Sequence, residues 1–300
     1  MTDRDRLLRN ARLALSLQLK ADQILGLEAL PLVQAGATRP PPPGRATARV
    51  LKEPPRAAPR PAPAPPAPAQ RPARRHQPPV PGLIERLGSA EQRSLIEQLD
   101  REVAACLRCE LSGTRTFTVP GEGNADADLM FIGEGPGRDE DLSGRPFVGR
   151  AGELLTRIIK AMGFSRETVY IANIVKCRPP RNRDPEPSET EACFGYLERQ
   201  IEIIRPRVIC TLGLPATRAL LQIKGGISAV RGQQFVFWNG RNGPSGRGIP
   251  VVPTFHPAYL LRNPAAKADV WQDVQLVARL VLEQGGTIPH PDVLKRSIDG

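Results

Sequence analysis

Three short, uninterrupted apolar runs set the strongest limit on what this 300-residue chain can fold into: DLMFIGE over 128–134, VYIANIV over 169–175 and RVICTLG over 207–213. A run of that length without polar alternation reads as a strand covered on both faces. Helical patterns lie between them. Leu154, Leu155, Ile158 and Ile159 share one face of a segment over 150–162, and Ser188 with Glu191 is placed to cap a helix carrying Tyr196, Leu197, Ile201 and Ile204. Ser89 followed by Gln92 predicts a capping box and a helix through Leu95, Leu99 and Val103; further helices are expected over 215–222 and 264–284. QFVFW at 234–238 and IPVVPTF at 249–255 read as additional strands. Strands alternating with helices predict an α/β fold, a three-layer α/β/α sandwich around a mainly parallel central sheet. In such a sheet ligands gather at the carboxyl ends of the strands.

The N-terminal third is organised differently. Residues 40–81 hold 16 prolines in 42 positions, mixed with alanine and arginine, which predicts a disordered linker with polyproline-II character. The net charge of +11 is concentrated there: residues 36–82 carry +8, residues 1–35 carry +1 and residues 83–300 only +2. A spacer and a basic tether for DNA are both compatible with that composition. Leu7, Leu8, Ala11, Leu15 and Leu19 lie at roughly helical spacing, and a lone amphipathic helix needs a surface to dock on, either a protein partner or the chain's own domain. The expected organisation is an N-terminal helix within 1–35, a Pro/Ala/Arg-rich linker over 36–87, a globular domain over 88–285 and a tail over 286–300. No apolar stretch reaches 18 residues and the N-terminus lacks a signal-peptide core, so a cytoplasmic monomer without a membrane span is expected.

Five cysteines are too few, and odd in number, for a disulfide scaffold. Cys210 lies inside RVICTLG and reads as core. Cys106 and Cys109 form a C-x2-C pair, with Cys177 and Cys193 far downstream. Four thiolates suit zinc or an iron–sulfur cluster, and the spacing alone leaves both open. GEGPG at 133–137 follows the first strand, where glycines let backbone N–H groups approach a ligand. No GxxxxGK[ST] motif is present, which disfavours a P-loop nucleotide hydrolase. Phe147 sits in GRPFVG as a core residue or a stacking platform, and Asn173 ends an apolar strand as a backbone partner or a reader of a base edge. Lys176, Arg178, Arg181 and Arg183 form a solvated cluster or a phosphate clamp. Of three histidines, His256 alone lies at a strand end, which makes it the candidate catalytic imidazole.

Taken in order, GEGPGRDED, SGRPFVGRAGELL, VYIANIVKCRPPRNR, EACFGYLERQIEIIRPRVICTLG and FHPAYLLRNP resemble a family-4 uracil-DNA glycosylase, the iron–sulfur branch of that superfamily, over about residues 100–282. The resemblance implies a [4Fe–4S] cluster on Cys106, Cys109, Cys177 and Cys193. It also implies a uracil pocket floored by the turn that includes Gly133 and Gly135, with Phe147 stacking on the flipped base and Asn173 reading uracil O4 and N3–H. His256 would face O2 and stabilise the charge that grows there as the glycosidic bond breaks. Tyr259, Leu260 and Arg262 would wedge into DNA, and Lys176, Arg178, Arg181 and Arg183 would bind it. Better-known relatives carry a tyrosine at the position of Gly137, and Glu140 is the candidate substitute. The water-orienting carboxylate of other branches falls at Gly135, so Glu134 is the candidate in its place. A covalent relative carries a nucleophilic histidine after the Asn-bearing strand; KCRPPRNRDPEPSETEA has none, so turnover without an adduct is expected.

The expected activity is that of a monofunctional DNA N-glycosylase, hydrolysing the N-glycosidic bond of deoxyuridine in single- or double-stranded DNA for base excision repair. The rival is a non-catalytic, iron–sulfur- or zinc-stabilised DNA-binding or replication-associated module. Phe147, Asn173 and His256 together argue against the rival, since a binder does not need all three. A zinc deaminase would require H-x-E…P-C-x-x-C, which is absent.

Overall fold

A computed structural model describes residues 89–238 and 248–292. The expected N-terminal helix and the proline-rich linker lie outside the described residues. Helix α1 (Ser89–Ala104) leads into β1 (Glu122–Gly123) and β2 (Leu129–Gly133), then α2 (Arg138–Ser143), α3 (Arg150–Ala161) and β3 (Tyr170–Asn173). Helix α4 (Pro187–Ile204) is followed by β4 (Val208–Leu212), α5 (Leu214–Leu221), α6 (Ile227–Val230), β5 (Phe235–Phe237) and β6 (Ile249–Thr254). The chain then forms α7 (Pro257–Arg262) and α8 (Lys267–Glu283).

The six strands form one sheet in the order β1-β3-β2-β4-β6-β5. Its four central strands are parallel and both edges are antiparallel. Period-two alternation divides each central strand between two cores. Leu129, Phe131, Ile171 and Cys210 face α3 and α8, whereas Met130, Ile132, Ala172 and Ile209 face α1, α4 and α5. The α/β/α sandwich read from the apolar runs is the observed architecture, and Cys210 is fully buried as expected. From β2 the chain turns to one neighbour, β3, and from β4 to the other side, towards β6. The crevice beyond the carboxyl ends of β2 and β4 is therefore a topological switch point. No helix among the described residues is long and apolar enough to cross a membrane.

Two capping expectations fail. Gln92 is fully buried and its Nε2 donates to the carbonyls of Ile203 (2.9 Å) and Ile204 (3.4 Å), so it closes the C-terminus of α4 instead of the start of α1. The cap of α4 is Glu186 with Glu189, two residues before the predicted Ser188 pair. A tertiary partner outcompetes the local one for Gln92, whereas α4 takes a local capping box that starts two residues earlier. The packed chain also runs past 285: Ile288 is buried and the His290 N–H donates to Gly163 O at 3.0 Å.

The carboxyl end of β6 is anchored from behind. Buried Asp273 on α8 accepts from Thr254 Oγ1 at 2.7 Å and from both Nη2 (2.6 Å) and Nε (3.0 Å) of Arg231. Removing one member of such a buried pair leaves the other uncompensated, at about 3–5 kcal/mol. Asp273→Ala is expected to lose stability of that order in urea denaturation, and Asp273→Asn distinctly less.

Candidate active site

A cleft of about 600 Å³ opens at the carboxyl ends of the central strands. Its floor is the turn after β2. A Cβ at Gly133 would stand 2.4 Å from Asn173 Oδ1 and 2.5 Å from Phe147 Cζ, so the amide of β3 and the phenyl ring converge only because glycine is there. Phe147 occupies the left-handed region at φ 52, unusual for a residue with a bulky side chain. Its carbonyl accepts from Arg166 Nη1 at 3.0 Å and the preceding Pro146 carbonyl from Nη2 at 2.7 Å, while Arg166 Nε pairs with Glu122. Gly152 lets α3 pass beneath, since a Cβ there would lie 1.9 Å from Phe147 O. The surroundings thus over-determine the strained turn.

Asn173 is 1% exposed and its Oδ1 has no hydrogen-bond partner. An orphaned buried acceptor costs about 1–3 kcal/mol, and one lining a cleft marks where a ligand donor belongs. The His256 ring lies 5.7 Å from that of Phe147, centroid to centroid. His256 caps α7, its Nδ1 accepting the Ala258 N–H at 3.1 Å. That bond assigns the imidazole proton to Nε2. Burial, with the nearby Arg262 charge, pulls His256 down to about 4 against the opposing pull of Glu140, so the ring is a neutral donor at pH 7. The arrangement offers an unpaired amide acceptor, a neutral N–H donor and an aromatic face to one occupant.

The two carboxylates expected here differ in environment. Glu140 accepts three backbone N–H groups, from Gly137 (3.1 Å), Val148 (2.9 Å) and Gly149 (3.0 Å). A side chain at Gly137 would begin 2.7 Å from Glu140 Oε2, so Glu140 does fill the space beside that glycine. Glu134 has a buried Oε1 without a partner, and burial, then the charge of Asp184, pushes its carboxyl up to about 7. Gly135 packs against Val175.

Several expected DNA contacts are placed elsewhere. Lys176 is 1% exposed, its ammonium donating to Asn173 O and Gln200 Oε1, so it lies behind the strand and out of reach of phosphate. Leu260 is buried in the core and 258–262 is part of helix α7; Tyr259, Leu261 and Arg262 are the exposed side chains there. Arg183 forks onto Glu189 at 2.6 and 2.8 Å, and Arg178 Nε donates to Asn182 Oδ1 at 2.6 Å. Arg181 is exposed. Arg183, Tyr259 and Arg262 do line the cleft, joined by Arg138 and Arg150, which sequence reasoning missed. Each is the first residue of a helix that follows a glycine, which was the available signal.

Cys106, Cys109, Cys177 and Cys193 line one separate cavity. Arg115 Nη1 donates to Cys177 Sγ at 3.2 Å and the Lys176 N–H to Cys193 Sγ at 3.3 Å, donors suited to thiolate charge. No group of three or more His, Cys, Asp or Glu among the described residues is spaced to hold a single metal ion. A lone zinc with Zn–S of about 2.3 Å needs its sulfurs close together. Four cysteines around one cavity, with these two donors, fit a group held by thiolates.

Comparison with known proteins decides the family. The profile of the Uracil DNA glycosylase superfamily matches residues 120–275. The chain is 45% identical to the type-4 uracil-DNA glycosylase of Thermotoga maritima over 197 residues, covering 65% of this chain and 98% of the relative. It is 50% identical to that of Saccharolobus solfataricus over 181 residues (59% and 82%) and 45% identical to that of Sulfurisphaera tokodaii over 192 residues (62% and 85%). The chain belongs to the type-4 uracil-DNA glycosylases. The match begins beyond the proline-rich segment, so family membership rests on the sandwich and its cleft.

In this type-4 glycosylase the strained environment of Glu134 has a measurable consequence. A carboxyl whose folded pKa is raised from 4.5 to about 7 binds its proton more tightly folded than unfolded. The stability this adds is fully present below pH 4.5 and is lost as pH rises through 7. Glu134→Gln is therefore expected to raise the melting temperature relative to wild type at pH 8 and to narrow that gap at pH 5.

Proposed function

We propose that this chain is a monofunctional uracil-DNA glycosylase that hydrolyses the N-glycosidic bond of flipped deoxyuridine in DNA and leaves an abasic site. The observation that carries the reading is the unpaired, 1%-exposed amide of Asn173 in the same cleft as the neutral Nε2–H of His256. A base within a duplex is out of reach, and extrusion costs a few kcal/mol. Stacking on Phe147 offsets part of that, at roughly 1–3 kcal/mol per base. Uracil offers N3–H to the Asn173 oxygen, where cytosine has a bare N3, so the orphaned acceptor favours uracil. Glu140, against Gly137, occupies space that a bulkier base would need.

Bond cleavage leaves negative charge on uracil O2 while the sugar becomes cationic. A neutral imidazole is a fitting donor for O2, because its proton is held on Nε2 by the Ala258 bond and no counter-charge must be reorganised. Glu134, ionised above about pH 7, is the carboxylate available to hold water or to favour the cationic sugar. Cys106, Cys109, Cys177 and Cys193 are the residues that would hold a [4Fe–4S] cluster. Such a cluster would supply a covalent tie from the segment before β1 to Cys177 in the loop after β3 and to Cys193 on helix α4.

The test is incubation of the purified protein with a uracil-containing oligonucleotide, followed by alkali. Strand scission is expected with wild type; its absence while the cluster's visible absorbance persists would refute the glycosylase reading in favour of a DNA-binding module. One oxyanion donor accounts for roughly 2.7–4 kcal/mol, so His256→Ala should lower kcat on the order of 10²–10³.

Phosphate contacts are assigned to Arg138, Arg150 and Arg262. All three line the cleft and are exposed, and no acid partner is within ion-pair distance of them among the described residues. Each phosphate contact contributes close to one unit to the slope of log K against log salt. Arg138→Gln and Arg150→Gln are each expected to reduce that slope by about one, whereas Lys176→Gln should leave it unchanged.

A further inference from the structure

Lys176 is a buried cation that the reaction above does not use. It sits where three structures meet. Its Nζ donates to the backbone carbonyl of Asn173 at 2.8 Å and to Gln200 Oε1 on α4 at 2.6 Å. Gln200 Nε2 in turn donates to Pro120 O at 2.8 Å and to Tyr170 OH at 3.3 Å. The lysine's own N–H donates to Cys193 Sγ at 3.3 Å, its carbonyl accepts the Val119 N–H at 2.7 Å, and the next residue is Cys177. A single residue therefore joins the cysteine cavity, helix α4 and the last residue of β3.

The chemistry at this junction is directional. Burying an ammonium is costly, and an apolar side chain would fill the same volume without that cost, so packing alone does not call for a lysine here. What the ammonium does is satisfy the carbonyl at the end of β3, where the ladder partner strand β2 has given way to a turn. Fixing that carbonyl fixes the peptide plane of Asn173, and with it the direction of a side chain that has no partner of its own. A group bound by Cys177 and Cys193 would hold the Lys176 main chain from both sides.

We propose that Lys176 is a positioning residue that transmits occupancy of the four-cysteine cavity to the base-reading amide of Asn173, so that affinity for uracil depends on a group that never touches it. The inference rests on the glycosylase reading above. Neither Lys176 nor Gln200 lines the cleft. Their effect on a ligand there is therefore indirect.

The test uses the full chain with its cluster in place and reads three quantities: visible absorbance per protein, free-uracil affinity by calorimetry, and affinity for abasic-site DNA. Lys176→Met is expected to keep the absorbance and the abasic-site affinity while uracil affinity falls on the order of tenfold or more, the usual consequence of a small misplacement. Gln200→Leu, which removes the second acceptor and leaves the lysine, should shift uracil affinity in the same direction by less. Wild type stripped of its cluster but still folded by circular dichroism should lose uracil affinity as Lys176→Met does. Wild-type uracil affinity in either variant, or in the stripped protein, overturns the relay. Should Lys176→Met fail to fold or lose its absorbance, Gln200→Leu decides. A wild-type protein that binds no uracil at all overturns the glycosylase reading itself, and the relay with it.

Discussion

One carboxylate holds the cleft together. Glu140 accepts the N–H groups of Gly137, Val148 and Gly149, and so ties the turn after β2 to the turn that carries Phe147. The ring, the glycine floor and the first residues of α2 and α3 all take their relative positions from those three bonds. Charge-assisted bonds of this kind are roughly twice as strong as neutral ones, which suits a segment where Phe147 must hold a left-handed backbone. Behind it, Arg166 and Glu122 brace the same turn from the β1 edge.

The cleft is also electrostatically sparse where chemistry is expected. Glu140 is occupied by backbone, Glu134 is about half protonated at pH 7, and His256 is uncharged. Around them stand dipoles aimed by hydrogen bonds and, among the other lining residues, Asp139, Asp184, Arg183 and the exposed Arg138, Arg150 and Arg262. This division suits a reaction in which charge develops in both leaving group and sugar, because preorganised dipoles require little rearrangement when it does.

Much of this was legible in the chain itself. The three apolar runs predicted the central strands within a residue or two, because a strand buried on both faces needs unbroken apolar sequence. His256 stood out by elimination and Asn173 by being polar in such a strand. The capping residues were misread because Ser89/Gln92 and Ser188/Glu191 match a local pattern, whereas Gln92 answers to carbonyls about 110 residues away. Lys176 in the basic run 176–183 was misread for a related reason. Charge density along a sequence does not say which side chains turn inward, and Lys176 does.

The sequence by itself determined the layered α/β/α sandwich, because period-two and helical patterns fix which faces are covered, while the four cysteines and the side chains of the pocket were legible through the resemblance of their motifs to a known family. Only the tertiary structure decided what those side chains do to each other. It assigned the His256 proton through Ala258, left the Asn173 oxygen without a partner, brought Arg138 and Arg150 to the cleft, and set Lys176 between the cysteines and the pocket. These depend on groups that meet across tens of residues, where no local pattern reports which donor finds which acceptor.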